Sequence, residues 1–197
     1  MLRRTTLIVG LAILAATSLT AQESQNPWIF STYYQCDNTQ EAVADRLVGE
    51  LGEVFDAQVS SGNLMTWGWI SHHVGGPWRR ALYFIAADAD KLLGARDAVI
   101  QEIQGAHAAL GQAFNQICPD HEDYIWQNLA GSDAPEALAE DRQQAGMSTY
   151  FVCDVSREDR ADELLQTAIA PVLDEMVTQG LIGGWSWNAH RVGGDFR

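Results

Sequence analysis

Apolar and polar residues alternate with a period of two in short stretches of the chain, and with a period near 3.6 in the longer stretches between them. Residues 27–36 are rich in aromatic and β-branched side chains and predict a strand; residues 66–74 predict a second. Residues 80–87 predict a third, returning antiparallel after the turn Gly75-Gly76-Pro77. Between the first two strands, Val43, Leu47, Leu51, Val54 and Phe55 form the apolar stripe of a helix that Asp37 or Thr39 can cap. After the third, Leu92, Leu93, Val99, Ile103, Ala106 and Leu110 mark another amphipathic helix. The pattern loosens in a connector around 114–146, where residues 124–129 and 135–143 predict short helices. From Met147 the opening order restarts, with a strand over 147–154 and a helix whose buried face is Leu164, Leu165, Ile169, Val172, Leu173 and Met176. Ser156 is the expected N-cap of that helix, with Asp159 three residues on in a box-like arrangement.

The restart is a repeat. WGWISHHVGGPWR at 67–79 returns as WSWNAHRVGGDFR at 185–197, and STYYQCD at 31–37 returns as STYFVCD at 148–154. One residue of length difference aligns the related units 28–79 and 147–197, which makes them copies of one strand, helix, strand element. Two such βαβ units can build an antiparallel sheet backed by helices, so the expected fold is α+β and ferredoxin-like, a duplicated βαβ unit with an inserted strand and helix. Two topologies satisfy this pattern. In one, residues 80–87 and the helix after them are inserted between the units; in the other, residues 28–113 begin one ferredoxin-like domain and residues 147–154 complete it.

The first residues change the picture of where the protein works. Arg3 and Arg4 precede an apolar run over 7–16, and Leu19-Thr20-Ala21 offers a small residue for cleavage, which predicts a signal peptide over 1–21 and a single domain over 22–197. The run is short for a bilayer span, so no stable membrane insertion is expected after processing, and the location is periplasmic or extracellular. The net charge is −14, and removal of the two arginines makes it two units more acidic. Such a surface repels nucleic acid, and no nucleic-acid partner is expected. In an oxidising compartment Cys36, Cys118 and Cys153 allow one disulfide and a spare thiol, or an intermolecular bond. If the two repeated strands are antiparallel neighbours, Cys118 is the better partner for either of the other two.

The repeat also selects candidate chemistry. His72 and His190 align, and a histidine can transfer a proton near neutral pH; they are the candidate catalytic residues. Trp67, Trp69, Trp185 and Trp187 can line a pocket for an apolar ligand or close the sheet against the helices. Arg79 and Arg197 can hold an anionic group or answer the chain's own carboxylates, and Tyr33 and Tyr150 can reach a ligand through their hydroxyls. Asp37 and Asp154 stand before helices, where capping explains them. No cofactor is indicated, and neither His72 nor His190 has a third ligand at a metal-selecting spacing.

The order of elements over 28–192, with aromatic, histidine-containing second strands, resembles the dimeric α/β-barrel superfamily. That resemblance implies a small-molecule cavity and a homodimer, and its members include cofactor-independent monooxygenases, haem-degrading and haem-peroxidase enzymes, and isomerases. It carries no catalytic signature that selects among them. The leading expectation is an exported small-ligand-binding protein. The alternatives are a cofactor-independent monooxygenase or isomerase acting on a small apolar or aromatic substrate, and a structural or protein-interaction module.

Overall fold

A computed structural model describes residues 26–133 and 145–197, so the expected signal peptide and the expected helix over 135–143 lie outside the described residues. The chain opens with β1 (Trp28–Gln35), in which Phe30, Thr32 and Tyr34 point to one side of the sheet and Ile29, Ser31 and Tyr33 to the other. Two helical segments follow, α1 (Glu41–Glu50) and α2 (Gly52–Ser60), burying Ala44, Leu47, Val48, Leu51, Val54 and Phe55. Val43 stays on the exposed side. Strands β2 (Thr66–Ser71) and β3 (Arg80–Ala86) then form an antiparallel pair.

The amphipathic stretch after β3 is broken. Asp88 caps α3 (Ala89–Gln104) by accepting the Lys91 N–H at 2.8 Å, the helix stops at Gly105, and α4 (Ala108–Ile117) carries the chain back to the sheet. Leu93 therefore faces outward while Leu92, Ala95 and Val99 are buried. The expected short helix over 124–129 is instead the middle of β4 (Asp120–Asp133), which pairs along the full length of β1. This overturns the topology completed by 147–154, because the strand that completes the first four-stranded arrangement comes from the connector. The strand over 80–86 and the helix after it do follow the first unit, and the strand is inserted between β2 and β1.

The second unit contributes α5 (Glu158–Leu164), a single π turn over Leu165–Ile169, α6 (Ala170–Thr178) and β5 (Gly184–Gly193). The π turn sits where the second copy carries its extra residue: the copies run 117 positions apart up to Asp162 and 118 apart from Asp174 onward. Residues 147–154 are not a strand, because no strand among the described residues supplies a ladder. Ser156 is not the cap either; Asp154 accepts both its N–H and its hydroxyl, as Asp37 does for Thr39.

The result is an α+β, broadly ferredoxin-like fold. One five-stranded antiparallel sheet runs β2-β3-β1-β4-β5, and it is open among the described residues. Helices α1 to α4 cover one face, and the main core lies between them and the sheet, built around Phe30, Leu47, Phe55, Phe84, Leu92 and Phe114. A disulfide between Cys36 and Cys118 ties the end of β1 to the end of α4, leaving Cys153 free. Among the described residues, no helix is long and apolar enough to cross a membrane.

Candidate functional site

Strand alternation sends the repeated aromatic residues to two different places. Trp67 and Trp69 point to the helix side, where the Trp67 indole N–H donates to Asp56 at 2.8 Å and that of Trp69 to Asp45 at 2.7 Å. The second copy makes the same pairs, Trp185 with Asp174 at 2.8 Å and Trp187 with Asp162 at 2.6 Å. The arginines are matched as well: Arg79 Nε donates to Glu41 at 2.6 Å and Arg197 Nε to Glu158 at 2.7 Å. All six of these side chains are thus engaged with carboxylates of the chain itself.

The opposite, helix-free face of the sheet gathers the other aromatics. Tyr33 from β1, with Tyr124 and Trp126 from β4, forms a contiguous patch, and Trp126 stacks flat on Tyr124 with ring centres 5.0 Å apart. The two copies meet there through equivalent residues. The Tyr150 hydroxyl donates to that of Tyr33 at 2.9 Å, and Trp78 packs on Tyr33 at 5.1 Å as its counterpart Phe196 packs on Tyr150 at 5.0 Å. Burial, with Tyr150 adding to it, pushes the Tyr33 hydroxyl far above its ordinary range, so it stays a neutral hydrogen-bonding group rather than a base. Burial raises Tyr124 too.

The two aligned histidines behave differently. His72 stacks on Trp78 with ring centres 3.9 Å apart and donates from Nδ1 to the Trp78 carbonyl at 2.8 Å. His190 is only 8% exposed and donates from Nε2 to the Gly193 carbonyl at 3.0 Å. Its Nδ1 is buried beside Tyr124 and Trp126 with no partner among the described residues. Gly193, at φ +117°, makes the turn possible, because a side chain there would collide with the backbone of Asp123.

Of the residues singled out from sequence, the fold brings together Tyr33, Tyr150 and His190 on one face, with His72 at its margin behind Trp78. Trp67, Trp69, Trp185, Trp187, Arg79 and Arg197 lie on the side of the carboxylate-bearing helices. Tyr124, Trp126, Trp78 and Phe196 were not singled out. The signal for Trp78 and Phe196 was present in the repeat, at matching positions just before Arg79 and Arg197; that for Tyr124 and Trp126 was the i, i+2 spacing of two aromatics. A separate open groove of about 420 Å³ lies between α2 and α3, lined partly by Val54, Ala57, Gln101 and His107, and shares no residue with the tyrosine face. No group of three His, Cys, Asp or Glu side chains among the described residues is placed to hold a metal ion.

No protein-family description matches the chain, and no curated protein matches it. Among solved structures it is weakly similar to a dimeric ferredoxin-like protein from an uncultured marine organism. The two share 11% identity and a TM-score of 0.42, over 54% of this chain and 91% of the other. The similarity concerns the fold alone.

Proposed function

We propose that this chain is an exported protein that binds a small apolar or aromatic ligand on the helix-free face of its sheet, where the two copies meet. The observation that carries this reading is the hydroxyl-to-hydroxyl bond between Tyr33 and Tyr150, set among rings drawn from both units. A flat apolar ligand would stack on the half-buried rings of Tyr33, Trp78, Tyr150 and Phe196, which lie over the buried Tyr124 and Trp126, while the neutral hydroxyl pair would meet its polar group. In the finer form of this reading the face is the interior of an α/β barrel and a second copy of the chain takes part in it. Export is supported by the arginine-led apolar stretch before Ala21 and by the Cys36–Cys118 bond, which belongs to an oxidising compartment.

A screen of small aromatic compounds, followed by chemical-shift mapping, tests the reading. Binders should perturb the Trp126 and Trp78 indole signals, and affinity should fall about tenfold in Tyr33→Phe/Tyr150→Phe. Binders that map to the groove between α2 and α3 would sink it. Unchanged binding and turnover in His72→Ala/His190→Ala would remove both histidines from any role in it.

A further inference from the structure

Where β4 crosses to its pairing with β5, the helix-free face changes from aromatic to amide. Register sets Asn128 of β4 opposite Asn188 of β5, and Trp126 opposite His190 two residues away along each strand, so the four side chains share one face. The first copy has no such amide. Gly68 and Ile70 stand where the second copy has Ser186 and Asn188, and the Tyr83 ring lies over Gly68, where a Cβ would collide with it. The second copy also has a bulge between Asn128 and Ala130, and the Ala130 carbonyl accepts Asn128 Nδ2 at 3.2 Å.

That bond fixes the orientation of the cluster. A carbonyl can only accept, so the Asn128 amide turns its nitrogen to Ala130; the same nitrogen donates to Asn188 Oδ1 at 3.1 Å, which leaves the Asn188 nitrogen to donate to Ser186 Oγ at a long 3.3 Å. The two amides therefore meet through one arm only. The reciprocal bond, from Asn188 Nδ2 to Asn128 Oδ1, is not made, and Asn128 Oδ1 accepts nothing among the described residues. Unlike His190 Nδ1, that oxygen is not sealed from solvent. Among the described residues no charged side chain bonds to the cluster. Arg191 of β5 is engaged with Gln127, which alternation puts on the opposite face.

We propose that the Asn128–Asn188 pair reads a neutral amide edge on the ligand, an N–H adjoining a C=O as in a lactam. The ligand N–H donates to Asn128 Oδ1, and its C=O accepts from Asn188 Nδ2. This rests on the aromatic-face reading above and adds the ligand's chemical class to it, a flat aromatic lactam or carboxamide. A carboxylate or phosphate is refused, because an acceptor-only group faces the Asn128 oxygen in a chain of net charge −14. A plain hydrocarbon takes water from both arms and returns no hydrogen bond.

The test titrates the full chain with three bicyclic probes of similar shape: 2-quinolone, N-methyl-2-quinolone and naphthalene. 2-Quinolone should bind at least about tenfold more tightly than the other two, and it alone should shift the side-chain NH2 signals of Asn128 and Asn188. Its advantage should vanish in Asn188→Ile, which installs the first copy's residue. The NH2 signals are read on the parent chain, so they decide the question even where that variant misfolds. Equal affinity of all three probes, with the Trp126 and Trp78 indole signals shifted by each, would overturn the amide edge and leave the aromatic face standing. Unmoved indole signals with every probe would sink the face and the amide edge together. A 2-quinolone advantage that survives in folded Asn188→Ile, or that leaves both NH2 signals in place, would also overturn the proposal.

Discussion

Leu47 and Leu164 hold the same place in two copies of one element, yet the first is packed away and the second faces solvent. The copies agree in polar contacts made within one strand, helix, strand element. Both carry an Asp-led turn before the helix, two indole-to-carboxylate bonds and one arginine-to-glutamate pair. They differ in everything that needs a neighbour. STYYQCD lies in a strand flanked by β3 and β4, while STYFVCD is flanked by no strand among the described residues. Local polar chemistry is written into the element; ladder and burial are conferred by what packs on it.

Paired substitutions break this comparison at different points. The largest contrast is expected for Leu47→Ala, which should lower the unfolding free energy by about 2–5 kcal/mol in a urea titration, against a change within about 0.5 kcal/mol for Leu164→Ala. Next is the disulfide: Cys36→Ser should cost about 2–4 kcal/mol, since the bond closes a separation of 82 residues, whereas Cys153→Ser should leave the midpoint nearly in place. Arg80→Gln should cost about 1–3 kcal/mol, because it leaves Asp45 without its arginine and Glu41 with Arg79 alone, while Arg197→Gln breaks a more open pair and should cost about 1 kcal/mol or less.

The same pair of carboxylates gives the acid dependence its sign. The hydrogen bond from Arg79 holds Glu41 below its ordinary value, and that from Arg80 does the same for Asp45. Their contribution is fully present above the unfolded values of about 4.3 and 3.9 and is lost as pH falls through the depressed folded ones. Unfolding measured between about pH 5 and pH 2 should therefore be less steep in Arg80→Gln than in the parent. The smallest effect is expected at the junction of the copies: Tyr150→Phe removes the hydroxyl donated to Tyr33 and should cost about 1 kcal/mol.

Much of the fold was legible because duplication reinforces periodicity. The strands at 28–35, 66–71 and 80–86 and the first helix stripe follow from alternation and apolar spacing. β4 was misread because Asp120, Glu122 and Asp123 mask its first half, leaving a short apolar run whose length does not distinguish strand from helix. The strand expected over 147–154 failed for the opposite reason: its pattern is right, and no strand among the described residues meets it. The cysteine pairing rested on Cys118 arriving beside Cys36, which α4 decides and spacing does not. At the site, alternation separated Tyr33 from the helix side, but the meeting of Tyr33 with Tyr150 is a long-range contact that no window of sequence contains.

The π turn at Leu165–Ile169 has a mechanical consequence. A residue added to a regular α-helix rotates all that follows by about 100° and would swing Asp174 away from Trp185. Here the Ala170 N–H reaches back to the Leu165 carbonyl, the surplus residue bulges out of the winding, and Asp174 still receives the Trp185 indole at 2.8 Å. The helix is fastened to β5 at two points, Asp162 and Asp174, and slack in length between those fastenings is absorbed by the backbone before it can shear the sheet.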